Sequence, residues 1–139
     1  MTATDPEPMA QSAIKPSLRG WLFVALLLIG SVFALTGLRQ FFIEPLASVS
    51  SNVIWFCVQL LPLMAPLPGL LAFRLRAVFM MCMASLLYFV HGVYVIFDPK
   101  LTLLGGFEIG FSLALCGVTA VIVRKLREML AEQYETPGD

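Results

Sequence analysis

Four apolar runs, each long enough to cross a bilayer, constrain the fold of this chain more than any other feature. They cover about residues 21–38, 52–73, 77–97 and 103–123, and each stops at charged residues or proline. A spanning helix needs about 20 mostly apolar residues, and backbone in lipid must satisfy its own hydrogen bonds. We therefore predict an all-α polytopic membrane protein, a bundle of four transmembrane helices joined by short loops.

The composition supports a lipid environment. The 139 residues are 59% hydrophobic and 13% charged, whereas a soluble domain is about half apolar and a quarter charged. The chain has too little polar surface to cover a globule in water, so the lipid bilayer is its expected solvent. Net charge is zero, and no basic field or glycine-rich phosphate loop points to nucleic acid.

Basic residues flank the spans unevenly, which predicts the orientation. One side carries Lys15, Arg19, Arg74, Arg76, Arg124, Lys125 and Arg127, and the other carries Arg39 and Lys100. Because basic loops stay in the cytoplasm, both termini are predicted to be cytoplasmic.

The ends of the chain differ in character from the membrane domain, residues 17–127. Residues 1–16 contain three prolines and are predicted to be a disordered cytoplasmic tail. Residues 128–139 form a cytoplasmic C-terminal extension, where we expect the last helix to continue as a short amphipathic segment. A cleaved signal peptide is the alternative for the first run, which is longer than a usual signal core.

The second run contains Pro62, Pro66 and Pro68. Each proline removes a backbone donor and crowds the carbonyl four residues earlier, so this helix is predicted to be kinked or broken. The break is either a structural kink packed by neighbouring helices or an unwound stretch lining an ion or substrate path.

Small residues recur at helical spacing on two runs. Gly106, Gly110, Ala114 and Gly117 form one stripe on the fourth run, and Gly30, Ala34 and Gly37 form another on the first. Small residues let helices approach closely in lipid. We expect the first and fourth helices to pack closely through these stripes, or one stripe to dock on another subunit.

Ionisable and polar residues inside the apolar runs are the candidate functional residues. On antiparallel third and fourth helices, His91 lies roughly 9 Å and Glu108 roughly 7 Å below the same surface. Gln59 falls at a comparable level and Tyr88 shares the His91 face, so we predict one intramembrane cluster of these four side chains. It could fix helix register, relay protons or ions, or bind a metal or haem.

Other chemistry finds little support in the sequence. One imidazole and one carboxylate are too few ligands for a closed zinc site, so neither a metal nor another cofactor is predicted. Cys57, Cys82 and Cys116 lie in three separate runs without a CxxC motif, which predicts small buried apolar side chains and neither a disulfide framework nor a metal site. Without a nucleophile motif, no catalytic residue is assigned.

Three stretches carry a family resemblance: LPLMAPLPGLLAFRLR, ASLLYFVHGV and FEIGFSLAL. They resemble small bacterial inner-membrane proteins classed as domain of unknown function 2069, over about residues 20–127. The matching residues are Pro68, Gly69, Leu70, Leu71, Tyr88, Phe89, His91, Gly92, Val93 and Glu108. The chain departs from the family at Val95, where members often have an acid, and in its plainer basic loop, residues 73–77. The resemblance implies a four-helix fold in the bacterial inner membrane, without a reaction.

Two functional hypotheses follow. The first is a non-enzymatic accessory, structural or assembly subunit that packs against a larger membrane complex or against copies of itself. The alternative is a small proton-coupled transporter or channel that uses the His91–Glu108 pair and the proline-broken second helix.

Overall fold

The computed structural model describes residues 16–135, all of which lie in helices or in the short connections between them. Helix α1 is Pro16–Leu38 and continues as a π-helical segment, Arg39–Ile43; α2 is Val49–Met64, α3 is Leu67–Leu71, α4 is Leu75–Ile96 and α5 is Thr102–Glu135. Within the described residues, four stretches are long and apolar enough to cross a membrane: Ser17–Ile43, Val49–Leu71, Leu75–Ile96 and Thr102–Glu135. The prediction of an all-helical chain with four helices long and apolar enough to span a membrane is therefore confirmed. The predicted disordered tail, apart from Pro16, and residues 136–139 of the predicted extension lie outside the described residues.

The first span is longer than predicted, because the charge at Arg39 does not end it. The chain continues in π-helical form to Ile43, and the amide of Glu44 bonds the Arg39 carbonyl at 2.9 Å. Single π-helical turns inside helices are rare and often occur at functional sites. Here the turn accompanies the burial of Arg39 and Gln40, while the next three apolar residues stay exposed.

The second span is interrupted where the prolines predicted a break. Helix α2 contains Pro62 in its interior and ends at Met64. Ala65 and Pro66 form a turn between α2 and the next helix. Helix α3 then begins with Pro68 in its first turn, a position where a missing backbone donor costs little. The span is thus two helical pieces in series.

Helices α4 and α5 approach closely at two glycines that the stripe prediction did not include, Gly92 and Gly105. A Cβ atom on Gly105 would lie 2.7 Å from the Ile96 backbone nitrogen, and one on Gly92 would lie 3.0 Å from the Ile109 side chain. Backbone atoms cannot move aside as a flexible side chain can, so only glycine fits at position 105. This contact places the outgoing end of α4 against the start of α5.

The first and fourth spans also pack together, but not through the small-residue stripes. Their shared core includes Leu18, Ala25, Ile29, Ile122 and Leu126, all buried.

The stripes themselves face away from the bundle. A Cβ atom at Gly30, Gly106, Gly110 or Gly117 would meet no atom within 4 Å, and Ala34 and Ala114 are exposed. Gly37 alone makes a contact, 3.5 Å from Phe56 of α2. The prediction of intramolecular packing through the stripes is wrong: spacing marks a small face, but it does not tell which side of the helix meets the bundle.

Candidate functional site

An arginine occupies the centre of the polar cluster. Arg39 is 6% exposed, and its guanidinium donates to Gln59 Oε1 from Nη2 at 3.0 Å and to Glu108 Oε2 from Nη1 at 3.4 Å. Charge-assisted hydrogen bonds are typically 2.7–2.9 Å long, so the contact with the carboxylate is the looser of the two. The arginine thus ties the end of the first span to the second and fourth.

Glu108 is the buried acid that compensates this charge. Its carboxylate is 7% exposed, and Oε1 lies 2.9 Å from His91 Nδ1. His91 Nδ1 also lies 3.2 Å from Arg39 Nη1, yet one ring nitrogen cannot donate and accept at once. Because an ionised carboxylate needs donors, Nδ1–H donates to Glu108 and the approach to Arg39 is a packing contact. Each carboxylate oxygen then receives one donor.

This assignment places a proton on Nδ1 of His91. The His91 side chain is 38% exposed, so the ring lies at the margin of the bundle.

The second helix enters the cluster through Gln59. Its backbone carbonyl accepts the Tyr88 hydroxyl, while its side-chain oxygen accepts from Arg39 and its amide donates to Gln40 Oε1 at 3.4 Å. Gln59 therefore joins the first, second and third spans through one residue. Tyr88, buried at 6% exposure, holds the α2 backbone one turn before Pro62.

A second buried amide extends the network towards the connection between the first and second spans. Asn52 Oδ1 accepts from Gln40 Nε2 at 3.1 Å and from the Leu46 amide at 2.6 Å. Asn52 also donates to the Leu46 carbonyl at 3.5 Å. Hydrogen bonds thus run from the loop residue Leu46 through Asn52, Gln40 and Gln59 to Arg39. From Arg39 they continue to Glu108.

All buried polar side-chain atoms of the described residues have hydrogen-bond partners, so the network is closed. In residues 17–135, no buried side-chain nitrogen or oxygen lacks a hydrogen-bond partner. Three buried hydroxyls lie further along the α4–α5 interface, and each bonds a carbonyl of its own helix: Ser85 to Cys82, Ser112 to Glu108, and Thr119 to Leu115. Such bonds satisfy the donor without involving a ligand.

The structure brings together all four residues that the sequence placed in the cluster: Gln59, Tyr88, His91 and Glu108. Sequence reasoning missed Arg39, which it assigned to the far loop as a charge ending the first span. One signal for a longer span was present in the sequence: residues 41–43, Phe-Phe-Ile, continue the apolar character of the first span beyond Arg39.

The donor set of the described residues does not assemble a metal centre. No group of three or more histidine, cysteine, aspartate or glutamate side chains in residues 17–135 could hold an ion. Within the cluster, the Glu108 oxygens already accept from Arg39 and His91. The arrangement can fix helix positions and can hold or exchange a proton between His91 and Glu108.

Comparison with known proteins places this geometry in a family. The family model described as "Predicted membrane protein (DUF2069)" matches residues 17–127, a range that contains the first three spans, most of the fourth and every residue of the cluster. Neither the curated proteins nor the solved structures yielded a match. The chain belongs to the DUF2069 family of predicted membrane proteins.

Proposed function

We propose that this member of the family is a non-enzymatic structural or assembly subunit of the bacterial inner membrane, working as an oligomer or within a larger membrane complex. The closed cluster supports this function best. All four spans contribute to the seven polar side chains of this cluster: Arg39, Gln40, Asn52, Gln59, Tyr88, His91 and Glu108. Their hydrogen bonds join the spans, so the polar groups that lipid tolerates poorly hold the bundle together.

The outward-facing stripe on α5 supplies the surface for assembly. Helix association in lipid depends on close backbone approach at small residues, and Gly106, Gly110, Ala114 and Gly117 lie exposed along about three turns. No described residue covers them. In this proposal they meet a neighbouring membrane helix.

The proposed orientation keeps both termini in the cytoplasm. Burial of Arg39 in the bundle removes it from the loop charges, which leaves Lys100 against seven basic residues on the terminal side. The positive-inside rule counts residues near the span ends, so the bias supporting this orientation is sharper than the sequence alone indicated.

Native mass spectrometry of the protein extracted into lipid nanodiscs tests the assembly. We expect the wild-type chain to leave the membrane as an oligomer or with a bound membrane partner, and Ala114→Leu to dissociate it by filling the stripe. Val90→Phe is the control, because it adds bulk to the exposed face of α4. A wild-type chain found only as a monomer would contradict the proposal.

A proton-coupled transporter or channel is the second candidate, favoured by the buried hydroxyls of Ser85, Ser112 and Thr119 that continue from Glu108 along the bundle. Proteoliposomes with an internal pH dye distinguish it from the first. Proton flux that His91→Ala abolishes would establish the transporter, and flux equal to that of empty liposomes would exclude it. The control variant is Tyr94→Phe, which alters an exposed side chain near the same end of α4.

A further inference from the structure

We propose that Cys82 and Cys116 form a redox-active dithiol inside the membrane, which closes into a disulfide between α4 and α5. Their Sγ atoms lie 3.4 Å apart, and a disulfide bond is about 2.05 Å long. Closure therefore needs an approach of little more than an ångström. The sequence separates the two thiols by 34 positions, and the antiparallel packing of α4 and α5 brings them together.

The position of the pair defines which oxidants can reach it. Cys82 lies seven residues into α4, about 10 Å from that end of the helix. Cys116 lies 14 residues into α5, about 21 Å from the opposite end. Both thiols are therefore within the apolar part of the spans. Neither is fully buried, so a molecule dissolved in the lipid has access to them.

The electron acceptor we assign is a lipid-soluble quinone. Two S–H bonds break and one S–S bond forms, and the two electrons and two protons that leave the thiols reduce the quinone to its hydroquinone. Atoms and charge balance without a further reactant. A reduced dithiol that reaches the pair by exchange reverses the step.

Closure would affect the cluster, because the two cysteines are on the helices that carry its acid and its imidazole. Cys116 follows Glu108 by eight residues, about 12 Å along α5. A covalent bond here fixes the spacing of α4 and α5 at a second point, beyond the close contact at Gly92 and Gly105.

The test counts free thiols on the full chain in nanodiscs before and after incubation with a short-chain ubiquinone. The protein is then denatured, labelled with N-ethylmaleimide and weighed intact. We expect three labels before oxidation and one afterwards, with the remaining label on Cys57, which is exposed. Peptide mapping should identify the linked pair as Cys82 with Cys116.

Two variants serve as controls. Cys57→Ser should go from two labels to none, because the pair is intact. Cys116→Ser should keep both labels, because Cys82 has lost its partner. An unchanged label count in the wild-type protein, or linked peptides that contain Cys57, would overturn the proposal.

Discussion

Replacing Arg39 by leucine is expected to destabilise the bundle by about 4 kcal/mol, a large loss for a side chain at the end of an apolar span. Leucine keeps an apolar side chain at this position, although a smaller one, and removes the guanidinium. Glu108, buried to 5% exposure, then keeps His91 as its donor and loses its counter-charge. Gln59 loses its donor at 3.0 Å.

The magnitude follows from the charge that the substitution leaves behind on Glu108. Leaving a buried charge without its partner costs about 3–5 kcal/mol. The lost bond to Gln59 adds about 0.6 kcal/mol, the average for hydrogen bonds between membrane helices.

Equilibrium unfolding by dodecyl sulfate in bicelles, followed by circular dichroism, measures these free energies. Arg19→Leu is the control on the same helix, because Arg19 is exposed; we expect a change within about 0.5 kcal/mol. The double variant Arg39→Leu/Glu108→Leu should recover most of the loss, since it removes both charges. A loss below about 1 kcal/mol for Arg39→Leu, or additive losses in the double variant, would refute the ion-pair argument.

The same assay checks three further predictions. Gly105→Ala should cost about 1–3 kcal/mol, because its Cβ would clash with the α4 backbone, whereas the adjacent Gly106→Ala should be neutral or stabilising by up to about 1 kcal/mol; equal effects would contradict the helix contact. Tyr88→Phe should cost about 0.6–1.7 kcal/mol for its bond to the Gln59 carbonyl, and no change would mean that the bond is not formed. Asn52→Ala should cost about 1–3 kcal/mol, because it leaves buried partners unpaired, and a cost near zero would show that water replaces the side chain.

The four spans and the depth of the cluster could be predicted because they depend on one-dimensional quantities. Length and hydropathy define a span, and a rise of 1.5 Å per residue places His91 and Glu108 at matching levels on antiparallel helices. The prolines likewise located the break in the second span. No knowledge of helix rotation is needed for any of these inferences.

Arg39 and the glycine contacts could not be predicted because they depend on how each helix is rotated. The apolar residues 41–43 signal that the first span continues past Arg39, but they do not tell whether the arginine side chain faces a partner in the bundle. The π-helical turn at Arg39 is not signalled by composition. Gly92 and Gly105 meet at a crossing point, while the more regular stripe on α5 faces outward. The adjacency of Cys82 and Cys116 depends on the same rotation.

The ion pair between Arg39 and Glu108 has a consequence for how the protein is made. The two residues are 69 positions apart, so during synthesis the first three spans exist before the acid does. Until the fourth span is inserted, we expect the Arg39 side chain to extend towards the membrane surface and keep its charge hydrated. We expect Arg39 to take its final position between Gln59 and Glu108 only when the last helix is in place. The position of Arg39, near the end of the first span, therefore depends on whether the fourth span has been made. In a product truncated before Glu108, we expect this arginine to stay hydrated at the membrane surface.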